Sequence, residues 1–257
     1  MSTGEIILVT GGSRGIGAAT ATLLAEGGKR VVIVDIAPEP LQGTHTILWP
    51  APFDVASEAA VVNGISDIEA ALGTIAGLVN AACVFGKMHA VERVRMENWD
   101  REINIDLRGT FLVARSVGER MAKRRQGSIV NVASVAGMTS GPIHAYTAAK
   151  AGVIQLTQTL AAEWGRVGVR VNAVSPGFTR TIALEAGIAS GALNEDRMVR
   201  NSAMKRLVEP IEVAQAIVWL LSAASSGVTG INLPVDAGLI AGSTWDAYGG
   251  LREAPGE

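Results

Sequence analysis

Thr10-Gly11-Gly12-Ser13-Arg14-Gly15-Ile16-Gly17 follows a β-branched run at 6–10 and leads into the helix-forming Ala18-Ala19-Thr20-Ala21-Thr22-Leu23-Leu24. Gly11, Gly15 and Gly17 let the backbone turn sharply, approach a pyrophosphate closely and pack the new helix onto the strand. The start of that helix offers unpaired N–H groups to phosphate oxygens, so Ser13, Arg14 and Ile16 join the glycines as cofactor-facing positions. A glycine-rich run alone is an ordinary turn. Its place between a strand and a helix makes it a dinucleotide site.

Outward from this turn, Asp35 closes the next apolar run at about the spacing where a carboxylate grips the ribose hydroxyls of the adenosine half. A carboxylate there accepts from both hydroxyls and repels a 2′-phosphate, so the expected cofactor is NAD. Arg14 argues the other way, because a guanidinium near the turn can pair with that phosphate; a solvated arginine is its plainer reading.

Further short β-branched runs lie at 31–35, 46–48, 78–81, 128–132, 169–174 and 231–235. Between them apolar residues recur at helical spacing: Val61, Ile65, Ile68, Leu72; Ile103, Leu107, Ala114, Val117, Met121; Val153, Leu156, Leu160, Trp164. Strands alternating with amphipathic helices read as a single-domain, doubly wound, Rossmann-like α/β fold. Its parallel sheet has about seven strands, with helices on both faces. No linker, repeat or composition shift divides residues 1–257. The stretch 177–209 has no clear strand and reads as a partly helical, mobile substrate-binding loop region. Residues 239–257 read as a C-terminal tail, with Trp245 and Tyr248 suited to docking over the cleft or on a neighbouring subunit.

The 257 residues are 48% hydrophobic, ample for a substantial core. A net charge of −2 carries no general attraction to nucleic acid or anionic membrane. Cys83 is the single cysteine, which excludes an intrachain disulfide and a Cys-rich zinc site; it reads as a small buried hydrophobe. Neither a basic leader before Ile6 nor an apolar run near about 18 residues is present, so the expected location is the cytoplasm.

Tyr146 and Lys150 stand four positions apart in one helical pattern and share a face. A fixed ammonium beside a phenol favours the phenolate, which otherwise forms only near pH ~10. Ser134, at the end of a strand-like run, adds a hydroxyl that can hold a substrate oxygen. A Tyr-x-x-x-Lys pair alone is weak, since both residues are common on helix surfaces.

Taken together, Thr-Gly-x-x-x-Gly-x-Gly at 10–17, Ser134, Tyr146-x-x-x-Lys150 and Pro176-Gly177 resemble, in order and spacing, the short-chain dehydrogenase/reductase superfamily over residues 5–238. The resemblance implies that Tyr146 is the general acid/base, that Lys150 binds the nicotinamide ribose and tunes the tyrosine, and that Ser134 orients the reacting oxygen. It also implies that Asp54 and Val55 meet the adenine, Asn80 and the adjoining Ala81 flank the adenosine ribose, Pro176-Gly177 sets the nicotinamide face, and Thr181 holds the carboxamide. Outside the resemblance, Asp54 reads as a cap-like loop residue and Thr181 as a turn residue.

Three departures stand out. Asn80-Ala81-Ala82-Cys83 replaces the family's Asn-Asn-Ala-Gly, and Val235-Asp236-Ala237-Gly238 lacks a usual glycine pair. In Asn104-Ile105-Asp106-Leu107-Arg108-Gly109 the family register puts Asp106 where the fourth catalytic residue is normally asparagine, with its backbone carbonyl holding a relay water; Asn104 is then a neighbour.

His144, two positions before the tyrosine, reads either as a substrate contact or as an exposed loop histidine. Met88 and His89 read as loop packing with a lesser claim on the cleft. The helices beginning near Trp99 and Tyr146 can pair across a two-fold axis, so a homotetramer or homodimer is expected. The expected function is NAD-dependent, metal-free interconversion of a small secondary alcohol and a ketone. The alternatives are an NADP-dependent carbonyl or 3-oxoacyl reductase and a non-catalytic dinucleotide-sensing or scaffold protein.

Overall fold

A computed structural model describes residues 4–252. One parallel sheet organises them, built from β1 (Ile6–Thr10), β2 (Val31–Val34), β3 (Ile47–Leu48), β4 (Ile75–Asn80), β5 (Gly127–Val132), β6 (Val169–Pro176) and β7 (Asn232–Val235) in the spatial order β3-β2-β1-β4-β5-β6-β7. Strand side chains alternate between faces. Ile6 and Leu8 of β1 enter one core with Val61, Ile65 and Ile68 of α2 (Glu58–Leu72), Val113 and Val117 of α4 (Thr110–Arg124), and Leu160 and Trp164 of α5 (His144–Trp164). Val9 enters the other with Ala21 and Leu24 of α1 (Gly15–Glu26) and Val213, Ile217 and Leu220 of α8 (Pro210–Leu221).

The order reverses at β1, which pairs with β2 on one side and β4 on the other. Loops leaving the carboxyl ends of β1 and β4 therefore diverge and leave a crevice between them, the usual place for a ligand in such sheets. Among the described residues no helix is long and apolar enough to cross a membrane.

Two local differences from the sequence reading matter for the site. β4 begins at Ile75, three residues before the β-branched run. Ala76 and Gly77 hide that start from a propensity reading, yet Ile75 is fully buried against Ile6, and Gly77 pairs with Ile7 and Ser128. The second lies in the stripe through Ile103 and Leu107. Between α3 (Met96–Glu102) and α4 the chain forms a π-helical stretch, Ile103–Gly109, whose wider turn rotates the inward face. Glu102, Asp106 and Gly109 are buried there, while Ile103 and Leu107 are only half-buried.

The stretch 177–209 is helical in part, as expected, with α6 (Ile182–Ala189) and α7 (Glu195–Val199). Its ends meet: the Val208 N–H donates to the Phe178 carbonyl at 2.9 Å and Arg180 N–H to Val208 at 2.8 Å. Beyond β7, α9 (Leu239–Gly242) and a 3-10 turn at Trp245–Tyr248 carry the tail.

Candidate active site

The glycine turn is shaped by close contacts. Gly11 adopts φ +64°, and a Cβ there would stand 2.6 Å from the Ala82 Cα. Gly17 abuts the Gly11 carbonyl so closely that any side chain would collide with it. The turn is thereby pressed against the segment after β4, with Ala81 N–H donating to Thr10 O at 3.2 Å. Gly15 also has positive φ, and its Cβ position lies 3.4 Å from the Thr181 side chain, so the segment after β6 reaches the same turn.

Asp35 lies just past β2 and is tied to the turn, its Oδ2 accepting from Ser13 N–H at 3.3 Å and its Oδ1 from Ala37 N–H at 3.0 Å. Arg14 caps α1 and is ion-paired with Glu39, whose carboxylate also accepts from Arg14 Nε at 3.1 Å. That pairing raises the guanidinium's already high pKa. It also draws a second carboxylate beside Asp35. Ile16 begins α1 half-buried and packs against the core under the turn.

The other residues tied to the dinucleotide occupy several loops. Asp54 is exposed and its Oδ1 accepts from Ala56 N–H at 2.9 Å, whereas Val55 is buried against Gly109. Thr181 caps α6 by accepting from Leu184 N–H at 3.3 Å. Pro176 ends β6, and Gly177 N–H donates to Val235 O at 2.9 Å, fixing the turn that follows. Asn80 ends β4, and its Nδ2 donates to Asn131 Oδ1 at 2.9 Å and to the Thr110 carbonyl at 3.4 Å, which ties its amide to β5 and α4.

At the mouth of the crevice α5 starts at His144, which sets Tyr146 in its first turn and Lys150 one turn later. Both are buried. Lys150 Nζ lies 5.4 Å from the Tyr146 ring centroid and donates to the Val132 carbonyl at 2.8 Å, fastening α5 to the end of β5. Ser134 caps the 3-10 turn Val135–Gly137 with its hydroxyl accepting from Ala136 N–H at 3.1 Å. Gly137 lets this turn touch α5, since a Cβ there would be 2.6 Å from the Lys150 carbonyl carbon.

The phenol does not follow the simple expectation for a tyrosine beside an ammonium. Burial pushes the Tyr146 pKa well up, Cys83 and Asp106 push the same way, and the Ser134 hydroxyl offsets part of the rise. Asp106 is fully buried in the π-helical stretch. Its Oδ1 accepts from Val84 N–H at 2.8 Å, and among the described residues its Oδ2 has no partner. Desolvation raises its pKa to about 6, against the opposing pull of Lys150 and the Val84 N–H. The Asp106 backbone carbonyl, expected to hold a relay water, accepts the Thr110 hydroxyl at 2.8 Å.

Ser134, Tyr146, Lys150 and Asp106 thus gather at the carboxyl ends of β4 and β5, next to the glycine turn. The sequence reading missed two neighbours. Phe85 stacks on Tyr146, and Cys83 is not a buried hydrophobe: it retains solvent-exposed surface at the floor of the crevice. Crowding there raises its thiol pKa, and its charge interactions with Lys150 and Asp106 place it beside both. The missing glycine at position 83 was the one signal for the latter; nothing local marks an exposed phenylalanine as a catalytic neighbour.

Known proteins resemble this chain in sequence and fold. The family model described as enoyl-(acyl carrier protein) reductase matches residues 11–240. A 2,5-dichloro-2,5-cyclohexadiene-1,4-diol dehydrogenase from Sphingobium indicum is 38% identical, covering 93% of this chain and 98% of its own. A D-threitol dehydrogenase from Mycolicibacterium smegmatis is 37% identical, over 91% and 92% of the two chains. A Brucella melitensis protein solved as a ribose-5-phosphate isomerase superposes with TM-score 0.90 at 44% identity, over 98% of each chain. With its glycine turn, seven-stranded sheet and Tyr-x-x-x-Lys helix, the chain belongs to the short-chain dehydrogenase/reductase superfamily.

Proposed function

We propose that the protein is an NAD-dependent oxidoreductase that interconverts a secondary alcohol and a ketone, with Tyr146 as general acid/base. The observation that carries this reading is the convergence of Ser134, Tyr146 and Lys150 beside a glycine turn with no room for a Cβ. That turn and the α1 N-terminus fit a pyrophosphate, and Asp35 fits a ribose diol. Gly11, Ser13, Gly15, Ile16 and Gly17 would hold the phosphates. Asp54, Val55, Ala81, the backbone at Asn80, Pro176, Gly177 and Thr181 would flank the rest.

The nicotinamide, when bound, takes up or supplies the hydride. In alcohol oxidation the Tyr146 oxygen removes the hydroxyl proton; in ketone reduction it returns it. The buried phenol stays protonated at neutral pH, which suits it as a donor, and Lys150, with Nζ 5.4 Å from the Tyr146 ring centroid, would be the fixed cation that eases loss of that proton during turnover. An ammonium has three donors, and Val132 accepts one, leaving two for a ribose hydroxyl or the phenol side. Ser134 orients the substrate oxygen, and Asp106 sets the local charge.

NAD is favoured over NADP because Asp35 and Glu39 put two carboxylates at the ribose end and Glu39 neutralises Arg14. An NADP-dependent carbonyl or 3-oxoacyl reductase draws support from Arg14 alone. A homotetramer or homodimer in the cytoplasm completes the reading, and sedimentation at the monomer mass would overturn the assembly.

Initial rates on a panel of alcohols and ketones with each dinucleotide test the whole. We expect turnover to need a dinucleotide, to favour NAD, and to fall at least about a hundredfold in Tyr146→Phe while NADH binding persists. Turnover without dinucleotide, as a sugar isomerase would show, sinks the proposal; so does full activity in Tyr146→Phe.

A further inference from the structure

A shallow cleft, open to solvent, lies beside the start of α5 and is lined by Gly86, Lys87, His89, Asn98, Glu102 and His144 among others. Its lining adjoins the reacting centre along the chain in two places: Gly86 follows Phe85, which stacks on Tyr146, and His144 and Ala145 precede Tyr146 on α5.

At its floor stands Glu102, the last residue of α3, only 7% exposed. None of the described residues donates a hydrogen bond to its carboxylate or forms an ion pair with it. The neighbouring acids differ: Glu97 accepts from Arg95 at 2.6 Å, and Asp106, one turn on, accepts from Val84 N–H. Its oxygens keep contact with solvent in the cleft, so the carboxylate stands free to accept from a ligand there. Gly86 is laid so closely against Glu102 Oε1 that any side chain at 86 would displace the carboxylate, and its absence leaves the oxygen open to the cleft.

The charges around the cleft select the ligand that would satisfy it. An anionic substrate would meet the Glu102 charge at the floor. A cationic one would pass Lys87 and Arg95 at the mouth. A neutral chain of hydroxyls meets neither obstacle: one hydroxyl donates to Glu102, and others exchange hydrogen bonds with Asn98 and His144, each of which can donate or accept. We infer that this cleft is a subsite for the hydroxylated arm of a polyol, and that Glu102 is the specificity residue that accepts from a hydroxyl beyond the one being oxidised. The assignment rests on the alcohol dehydrogenase reading above, and it replaces the sequence expectation of a generic small alcohol with a polyhydroxylated one.

The test compares erythritol with 2-butanol, alcohols of equal chain length, in wild type, Glu102→Leu and Glu102→Gln. The wild-type protein is expected to show the higher kcat/KM on erythritol. In Glu102→Leu the erythritol-to-butanol ratio falls at least about tenfold, carried mainly by KM, because a site built for a hydroxyl loses its acceptor. Glu102→Gln preserves size and an acceptor oxygen but not charge, so its ratio falls severalfold; it carries the test if the leucine variant fails to fold, judged by NADH binding. A ratio unchanged in both variants, or a wild type preferring 2-butanol, overturns the subsite while leaving the dehydrogenase reading in place. Saturation-transfer NMR with erythritol separates the two in the other direction. Binding by wild type that Glu102→Leu loses, in a protein that oxidises no alcohol, sinks the dehydrogenase reading and sustains the subsite.

Discussion

The ring of Phe85 lies stacked on the ring of Tyr146, with centroids 4.4 Å apart and planes inclined by 26°. Phe85 is 63% exposed, so an apolar side chain stays at the surface where it covers the one phenol in the crevice. The same cover desolvates Tyr146, and desolvation is the largest cause of its raised pKa. Replacing Phe85 with alanine should admit water to the phenol and lower that pKa. In a pH profile of alcohol oxidation, the limb that rises with phenolate formation should move toward acid. The stability cost should be small, about 0.5–1.5 kcal/mol for a half-exposed aromatic pair. A profile that stays put or moves toward alkali would show that Phe85 does not set the phenol's environment.

Cofactor choice should turn on the two carboxylates near the α1 N-terminus. Asp35 is held to the turn by Ser13 N–H, and Glu39 occupies Arg14. Asp35→Ser combined with Glu39→Gln removes both negative charges and frees the guanidinium for a 2′-phosphate. The ratio of kcat/KM with NADP to that with NAD should rise at least about tenfold, roughly 1.4 kcal/mol. Equal losses with both dinucleotides would mean that these residues support the turn without choosing the cofactor.

The sequence showed the sheet well because its central strands are buried on both faces and read as β-branched runs. It blurred β4, where Ala76 and Gly77 break the pattern and only pairing with β1 and β5 makes a strand. The glycine turn was visible from its place between a strand and a helix, whereas Ser134, Tyr146 and Lys150 were weak signals singly and legible only through their joint order and spacing in the family pattern. Glu102 and Phe85 were not. Whether a glutamate in a helix points to solvent or into a cleft depends on the phase of that helix, and the π-helical stretch after α3 moves the inward face by an amount that no 3.6-residue periodicity contains. The amide contacts of Asn80 were hidden for a related reason: its partners Asn131 and Thr110 are distant in sequence.

The tail is tied to the end of the 177–209 stretch, which gives its removal a defined consequence. Arg200 Nε lies 3.6 Å from Asp246 in the tail, while the Ser202 hydroxyl and Met204 N–H donate to Ala237 O, just before the tail, at 2.6 and 3.0 Å. Residues 253–257 of the tail lie outside the described residues. Deleting 243–257 removes the Asp246 anchor and should loosen residues 200–204, so KM for the alcohol should rise severalfold with a smaller effect on kcat. The Arg200–Asp246 pair is exposed and contributes little by itself, so Tm should drop only slightly. Unchanged KM on truncation would release the tail from any part in substrate binding.

Asp106 makes the clearest pH-dependent prediction. Its pKa is raised from 3.8 to about 6, chiefly by desolvation. The native state therefore holds a proton that the unfolded chain has released, and stability falls as pH rises through the window between those values. Above about pH 6 the carboxylate is ionised in both states, and its burial costs on the order of 3 kcal/mol. Asp106→Asn keeps an acceptor for Val84 N–H, puts a neutral amide where Oδ2 has no partner, and restores the residue type usual at this place in the family. Denaturant titrations should find the variant more stable than wild type at pH 8, by on the order of 1–3 kcal/mol, with the slope between pH 4 and 6 flattened. Asp106 also pushes the Tyr146 pKa up, so the same variant should shift the alcohol-oxidation limb toward acid. A variant less stable than wild type at pH 8 would mean that the ionised carboxylate has a partner worth more than its desolvation, with Lys150 the first to examine.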